Sequence, residues 1–222
     1  QLESNRMKRR EFSAAAAAVA LPALWGANVS YAQGAQPKEG KDYLVLDKRM
    51  NTDVGPGKIE LIEFFWYSCP HCNAFEPTFD AWAKAVPKDV VVKRVPVAFQ
   101  DSFVPQQRLF YALEALGRLD DMHRKVFAAV HVEHQPLNKD DAIIAWAEKQ
   151  GLDKAKFTEA YRSFGVGSKL KRAAQLQEAF KVEGVPSLGV AGRYYTDGTM
   201  AGNVNKALQV AEYLLSEVRK GH

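Results

Sequence analysis

Cysteine is scarce in this 222-residue chain: only two are present, Cys69 and Cys72. So few cysteines do not provide the framework of several disulfides that is common in small exported domains. A structural zinc site usually takes four protein ligands, so zinc would need distant partners such as His131 and His134. A bond between Cys69 and Cys72 would close a loop too short to constrain the unfolded chain much. Zinc and an inert disulfide remain alternatives, but the close spacing favours a catalytic pair.

A long unbroken apolar run is also missing. Residues 12–29 are rich in alanine, but a proline, a glycine and an asparagine interrupt them, which makes a poor membrane span. The run follows a basic segment at residues 7–10 and precedes a small-residue cleavage pattern that ends at Ala32. This arrangement predicts a signal peptide over residues 1–32, which includes the upstream residues 1–6. Export would place the protein in an oxidising compartment.

Strong net charge is absent as well. The formal net charge is +4, and residues 1–32 carry four basic and two acidic side chains, so their removal leaves +2. A nearly balanced chain without a basic stripe interleaved with aromatics is not typical of a nucleic-acid-binding protein. The remaining length suits one domain, or one domain with an insertion. We therefore expect a protein that does not bind nucleic acid. A monomer is also expected.

The most informative stretch covers residues 59–72. Its first half, residues 59–65, is rich in Ile, Leu and Phe and is typical of a buried strand. Pro70 directly follows Cys69, and proline is favoured at the first position of a helix because its missing N–H would be unpaired there. Cys69 is therefore predicted to lie at the mouth of a helix, with Cys72 on the same helical face.

The helix mouth favours the ionised form of Cys69. A helix N-terminus offers free backbone N–H groups and about half a positive charge. His71, between the cysteines, adds a hydrogen-bond donor and, when protonated, a positive charge. A thiol with a lowered pKa is reactive and is a good leaving group from a disulfide. The local sequence therefore predicts a redox-active dithiol or disulfide.

Two phenylalanines followed by three residues and then Cys-Pro-His-Cys form a specific pattern that resembles the DsbA family of thiol:disulfide interchange proteins. The resemblance implies an α/β structure, namely a thioredoxin fold with an inserted all-helical subdomain. It also implies an exported, periplasmic dithiol oxidase that donates a Cys69–Cys72 disulfide to folding proteins without a cofactor. A DsbB-like membrane quinone reductase is the implied reoxidant.

The domain organisation follows from the helical pattern and the resemblance together. Residues 33–100 and 182–222 are expected to form the two parts of the thioredoxin domain, and residues 101–181 the helical insertion. Apolar stripes predict five helices in the insertion. Asn138 is the predicted cap of the third, and the fourth is predicted to end near Gly165.

The strands and the last helix have their own sequence signals. Pro96 predicts that the strand before it ends there or lies at a sheet edge. Gly192 marks a hairpin turn, and Asn203 or Asn205 is the predicted cap of a final helix. Pro186 follows Val185 ahead of a strand, which is typical of a turn.

Three residues outside the Cys-x-x-Cys motif are candidates for the site. Glu63 lies within the central strand, either facing outward or as a buried carboxylate with a raised pKa that accepts a proton. Family members carry an acid at the matching position. By resemblance, Val185-Pro186 is the cis-proline loop beside the cysteines. The Val185 backbone groups are then free to pair with a substrate strand.

Two other kinds of function remain possible. A disulfide isomerase or reductase would use the same fold, although isomerases usually have an earlier dimerisation segment and often threonine where this chain has Val185. A non-catalytic peptide-binding chaperone would need only the groove. Alkylation of Cys69 separates these classes, because a chaperone would keep working.

Overall fold

The computed structural model describes residues 36–221, so the predicted signal peptide lies outside the described residues. The strands are β1 (Leu44–Val45), β2 (Ile59–Phe65), β3 (Val90–Pro96), β4 (Ser187–Val190) and β5 (Tyr194–Asp197). The helices are α1 (Pro70–Ala85), α2 (Val104–Ala115), α3 (Leu119–His131), α4 (Asp140–Lys149), α5 (Lys154–Arg162), α6 (Phe164–Ala179), α7 (Gly198–Ala201) and α8 (Val204–Arg219), with a short 3-10 helix at Asp101–Phe103. Within residues 36–221, no helix combines the length and the apolarity that crossing a membrane requires.

The five strands form one mixed sheet in the order β1-β5-β4-β2-β3. β2 and β3 run parallel, and every other neighbouring pair is antiparallel. β3 is an edge strand that ends at Pro96, which confirms the prediction from that proline. All seven residues of β2 are buried, because this strand has neighbours on both sides and a core on both faces.

Successive residues of β2 face different cores, as the two-residue period of a strand requires. Leu61 packs with Phe75 and Phe79 of α1 and with the apolar side of α8. Ile62 and Phe64 face a larger core built with α2 to α6. The sheet therefore lies between α1 and α8 on one face and the helices of the middle segment on the other.

Several elements have the bounds that the sequence predicts. β2 covers Ile59–Phe65, and α1 begins at Pro70. Asn203 caps α8 by accepting a hydrogen bond from the Lys206 N–H at 2.9 Å. The β4–β5 hairpin turns at Gly192, which has a φ of 64°. This left-handed backbone conformation favours glycine.

The predicted cap of the third helix of the insertion, Asn138, is wrong. α4 begins at Asp140, and its N-cap residue is Lys139, whose side chain makes no capping hydrogen bond. The Asn138 N–H instead donates to the Pro136 carbonyl. This tight turn places Asn138 one residue too early to cap the helix.

The predicted end of the fourth helix near Gly165 is also wrong. α5 ends at Arg162, and Gly165 lies in the first turn of α6. The cause is Ser163, whose hydroxyl accepts a hydrogen bond from the Val166 N–H at 3.1 Å and so starts a new helix. Phe164, which continued the apolar pattern of the fourth helix, is 88% exposed.

Gly189 in β4 leaves room for an aromatic ring of the larger core. A Cβ at Gly189 would lie 2.4 Å from Cε1 of Phe180, whose ring packs 5.3 Å from that of Phe64. Gly189→Ala should therefore lower the free energy of unfolding in urea by about 1–3 kcal/mol through overpacking.

Gly167→Ala is the matched control, since Gly167 lies inside α6 with no atom within 4 Å of its added Cβ. Alanine in a helix interior should stabilise the protein by about 0.5–1 kcal/mol. Equal effects of the two substitutions would contradict this account of the core.

Candidate active site

Cys69 is the N-cap residue of α1 and therefore lies at the helix mouth, as the sequence predicts. Its Sγ accepts a hydrogen bond from the Cys72 backbone N–H at 3.4 Å. Cys69 is 7% exposed and Cys72 is 0% exposed. Cys69 is therefore the more accessible of the two cysteines.

The surroundings of the two thiols drive their pKa values apart. A hydrogen bond from the Cys72 side chain is the main cause that lowers the pKa of Cys69 to about 6. The backbone N–H groups of Cys72 and His71, and then the charge of His71, act in the same direction, while burial opposes them. Burial strongly raises the pKa of Cys72. At neutral pH the reduced site holds a Cys69 thiolate beside a Cys72 thiol.

Pro70 and His71 form the exposed rim of this site. Pro70 occupies the first turn of α1, where its missing N–H leaves no group unpaired. His71 contributes a backbone N–H and a charge to the Cys69 sulfur. The sequence did not show that the Cys72 thiol is the leading donor.

The Val185-Pro186 loop lies directly against the reactive sulfur. The peptide bond between the two residues is cis, and Cys69 Sγ lies 3.4 Å from the Val185 carbonyl oxygen, to which the sulfur donates a hydrogen bond only when it is protonated. A cavity of about 390 Å³ opens beside the loop and extends to His71 and Val204. The loop and His71 therefore face the same cavity.

Glu63 is 1% exposed, so the outward-facing alternative is wrong. Its Oε2 accepts a hydrogen bond from Arg94 Nε at 3.2 Å, and Arg94 Nη2 donates to Glu76 Oε1 at 3.0 Å. Burial raises the pKa of Glu63 to about 8 despite the Arg94 charge, and the Glu76 charge adds to the rise. The negative charge of Glu63 in turn contributes to the raised pKa of Cys72.

Arg94 and Glu76 were missed by the sequence reasoning, although each carries a signal. Glu76 lies four residues after Cys72 and three before Phe79, on the buried face of α1. Arg94 is paired in register with Glu63 across the parallel strands β2 and β3. The helical spacing could have revealed the first, whereas the second needs the strand register.

The helices of the middle segment hold the turn between β2 and α1. The ring of Phe103 stacks on Trp66 with centroids 3.6 Å apart, and Gln106 donates to the Ser68 hydroxyl at 2.7 Å. His131 Nε2 lies 2.8 Å from the carbonyl oxygen of residue 67. The histidine that the zinc alternative required is therefore engaged in positioning this turn.

A Cys-x-x-Cys motif at a helix mouth, a buried second thiol and an adjoining cis-proline loop, all on this sheet, define a thioredoxin-fold thiol:disulfide oxidoreductase. Comparison with known proteins agrees. The model of the DSBA-like thioredoxin domain family matches residues 60–209. The chain is 45% identical over 207 residues to the thiol:disulfide interchange protein DsbA of Bordetella parapertussis. The aligned region covers 93% of this chain and 95% of that protein.

Solved structures show the same similarity. Crystalline Pseudomonas aeruginosa DsbA superposes with a TM-score of 0.79 at 37% identity, covering 83% of this chain and 96% of that one. The oxidoreductase DsbA from Xylella fastidiosa gives a TM-score of 0.77 at 27% identity, covering 83% and 98%. The chain belongs to the DSBA-like thioredoxin domain family. It is a protein dithiol oxidase that acts by thiol–disulfide exchange with substrate proteins.

The difference in exposure and pKa predicts which thiol reacts. Brief iodoacetamide treatment of the reduced protein at about pH 6.5 should label Cys69 and spare Cys72, because only Cys69 is both accessible and ionised. Peptide mass mapping measures the labelled fractions. Preferential labelling of Cys72 would contradict the assignment.

The causes of the lowered Cys69 pKa predict an order of mutational effects. Cys72→Ala removes the largest cause, and His71→Ser removes only the smaller contribution of the charge. Both should raise the Cys69 pKa, Cys72→Ala by more, as followed by thiolate absorbance against pH. His71→Ser should also make the protein a weaker oxidant, by about 30 mV for each 1.4 kcal/mol of thiolate stabilisation lost. A larger effect from His71→Ser would reverse the ranking.

Proposed function

We propose that the protein oxidises newly exported proteins as they fold, by donating a Cys69–Cys72 disulfide. The observation that carries this proposal is the unequal pair of thiols at the mouth of α1. A Cys69 thiolate with a pKa of about 6 is stabilised by the fold, so it is a good leaving group from any disulfide that contains it. Such a site favours its own reduction and the oxidation of its client.

Disulfide donation takes two exchange steps. A client thiolate attacks Cys69 Sγ, the Cys69–Cys72 bond breaks, and its electron pair goes to Cys72, which takes up a proton. A second client thiolate then attacks the client sulfur of the mixed disulfide. The bond to Cys69 breaks, and Cys69 leaves as a thiolate. The client gains one disulfide, and the protein ends with a Cys69 thiolate and a Cys72 thiol.

Glu63 is the proposed source of the proton for Cys72. The raised Cys72 pKa means that a thiolate released inside the protein is strongly basic. Glu63 is buried and has a pKa of about 8, so it holds a proton at neutral pH. When Glu63 is ionised, its negative charge raises the pKa of Cys72. In reoxidation the same carboxylate would take the proton back.

The client chain is proposed to add as an extended strand beside the Val185-Pro186 loop. In the oxidised protein Cys69 carries no hydrogen, so the Val185 carbonyl beside it can accept a hydrogen bond from a client N–H. Main-chain hydrogen bonds to this residue would place a client sulfur against Cys69 with little dependence on client sequence. This suits an enzyme whose clients are many.

The remaining assignments are also proposals. We expect cleavage of residues 1–32 during export, action as a monomer in the periplasm, and reoxidation by a DsbB-like membrane quinone reductase. We also expect residues 33–100 and 182–222 to form the thioredoxin domain around a helical insertion at 101–181. The position of α2 to α6 between β3 and β4 supports this division.

Trapping of mixed disulfides tests the proposed function. Cys72→Ser cannot form the internal disulfide, but oxidised glutathione can load its Cys69 as a mixed disulfide. A reduced client with a single cysteine should then attack Cys69, release glutathione as a thiolate and accumulate as a client–Cys69 mixed disulfide on non-reducing gels. Oxidised wild-type protein should convert a dithiol peptide to its disulfide in one turnover. Cys69→Ser should do neither.

The rival functions predict other results. A chaperone would suppress client aggregation equally well after alkylation of Cys69. An isomerase would reshuffle scrambled disulfides faster than it oxidises dithiols. Either outcome would contradict the proposal.

A further inference from the structure

A second buried histidine, His123 of α3, lies next to the carboxylates of the site. It is 5% exposed, and its ring packs edge-on against Phe65 and Phe127, each with centroids 5.2 Å away. Packing alone would be satisfied by a phenylalanine. The two ring nitrogens instead face one polar group each, on opposite sides of the ring.

These two contacts link the turn after β2 to the redox helix. His123 Nδ1 lies 2.8 Å from the Tyr67 hydroxyl oxygen. His123 Nε2 lies 3.4 Å from Glu76 Oε2, and neither atom makes a hydrogen bond within residues 36–221. Because buried polar groups rarely stay unpaired, we take the two facing atoms as partners.

Donor and acceptor chemistry selects one arrangement of protons. Among residues 36–221, His123 Nδ1 is the hydrogen-bond partner of the Tyr67 hydroxyl. Burial lowers the pKa of His123, which favours a neutral ring; if the hydroxyl donates to Nδ1, the ring hydrogen is on Nε2 and faces Glu76. Burial raises the pKa of Tyr67, so its hydroxyl keeps its hydrogen and donates it to Nδ1.

The same arrangement affects where this pair of carboxyls holds its proton. Arg94 donates to both Glu63 and Glu76, but one guanidinium neutralises only one carboxylate. Glu76 also faces His123 Nε2, whereas Arg94 is the only hydrogen-bond donor to Glu63 in the described chain. The surroundings therefore favour the proton on Glu63, whose pKa burial raises to about 8.

We propose that His123 is a positioning residue of the redox site, which presents an Nε2 hydrogen to Glu76 and so keeps the proton of the carboxyl pair on Glu63. The inference rests on the proposed role of Glu63 as the proton source for Cys72. It extends the site into the helical segment, because α3 then sets the protonation state of a group in the central strand.

Other charges near the histidine agree with this assignment. Besides Glu76, the charges that act on His123 are those of Arg94 and Asp80. Asp80 is itself paired with Lys84 at 2.7 Å. Asp80 also lies 3.8 Å from Arg94 Nη2. Among residues 36–221, Glu76 is the carboxylate within ion-pair distance of the His123 ring.

A measurement on the wild-type protein tests the proton arrangement. Nitrogen-15 NMR of the histidine side chains should show His123 as the neutral tautomer with hydrogen on Nε2 and none on Nδ1 throughout about pH 6–8. A ring with hydrogen on Nδ1, or one that titrates within this range, would overturn the proposal.

Two substitutions of similar size test the consequence for Glu63. In His123→Gln the amide nitrogen can take the place of Nε2 and still donate to Glu76, whereas the shorter side chain of His123→Asn can replace only Nδ1. The readout is carbon-13 NMR of glutamate-labelled reduced protein, with the Glu63 signal assigned by its loss in Glu63→Gln. His123→Gln should keep the Glu63 titration midpoint near that of wild type, and His123→Asn should lower it by about one pH unit or more.

Equal Glu63 midpoints in wild type and both variants would show a purely structural histidine. Should His123→Asn fail to fold, the wild-type tautomer still decides the proposal.

The pH profile of single-turnover disulfide opening by a dithiol peptide is measured separately, as a test of Glu63. If Glu63→Gln leaves that profile unchanged, the proposed role of Glu63 fails, while the carboxyl titration still tests His123.

Discussion

The hydrogen bonds that end on the Cys69 sulfur are the interaction on which the site depends. They come from the Cys72 thiol and N–H and from the N–H of residue 71, so α1 must begin at Pro70 for them to exist. β2 fixes that starting point, because its buried run ends four residues before Cys69. The strand β2, the turn after it and the helix α1 therefore together stabilise the Cys69 thiolate.

Burial has the opposite effect on Cys72 and raises the pKa of its thiol. Cys72 lies one helical turn deeper, where water does not reach it and its charged form is disfavoured. The same interior raises the pKa of Glu63. One desolvated region thus holds both a thiol that must change protonation during exchange and a carboxyl able to exchange that proton.

The sequence was sufficient where local chemistry decides the structure. The apolar run of β2, Pro70 after Cys69 and the Asn203 cap each determine an element through neighbouring residues. Ser163 was overlooked because one hydroxyl started a helix inside a continuous apolar pattern. Arg94 and His123 could not be assigned, since strand register and the packing of α3 bring them to the site.

The free energy of unfolding of the reduced and oxidised forms, measured in urea from about pH 5 to pH 9, tests the stabilised thiolate most directly. The folded pKa of Cys69 is lowered from 9.0 to about 6, so its contribution is full above the unfolded pKa and is lost as pH falls through the folded one. The raised pKa of Glu63 acts in both forms and largely cancels. The raised pKa of Cys72 acts only in the reduced form and opposes the gain only as pH approaches the unfolded value of 9.0. We predict a more stable reduced form at neutral pH, with an advantage that grows by up to about 4 kcal/mol with rising pH. A pH-independent difference, or a more stable oxidised form, would contradict the account.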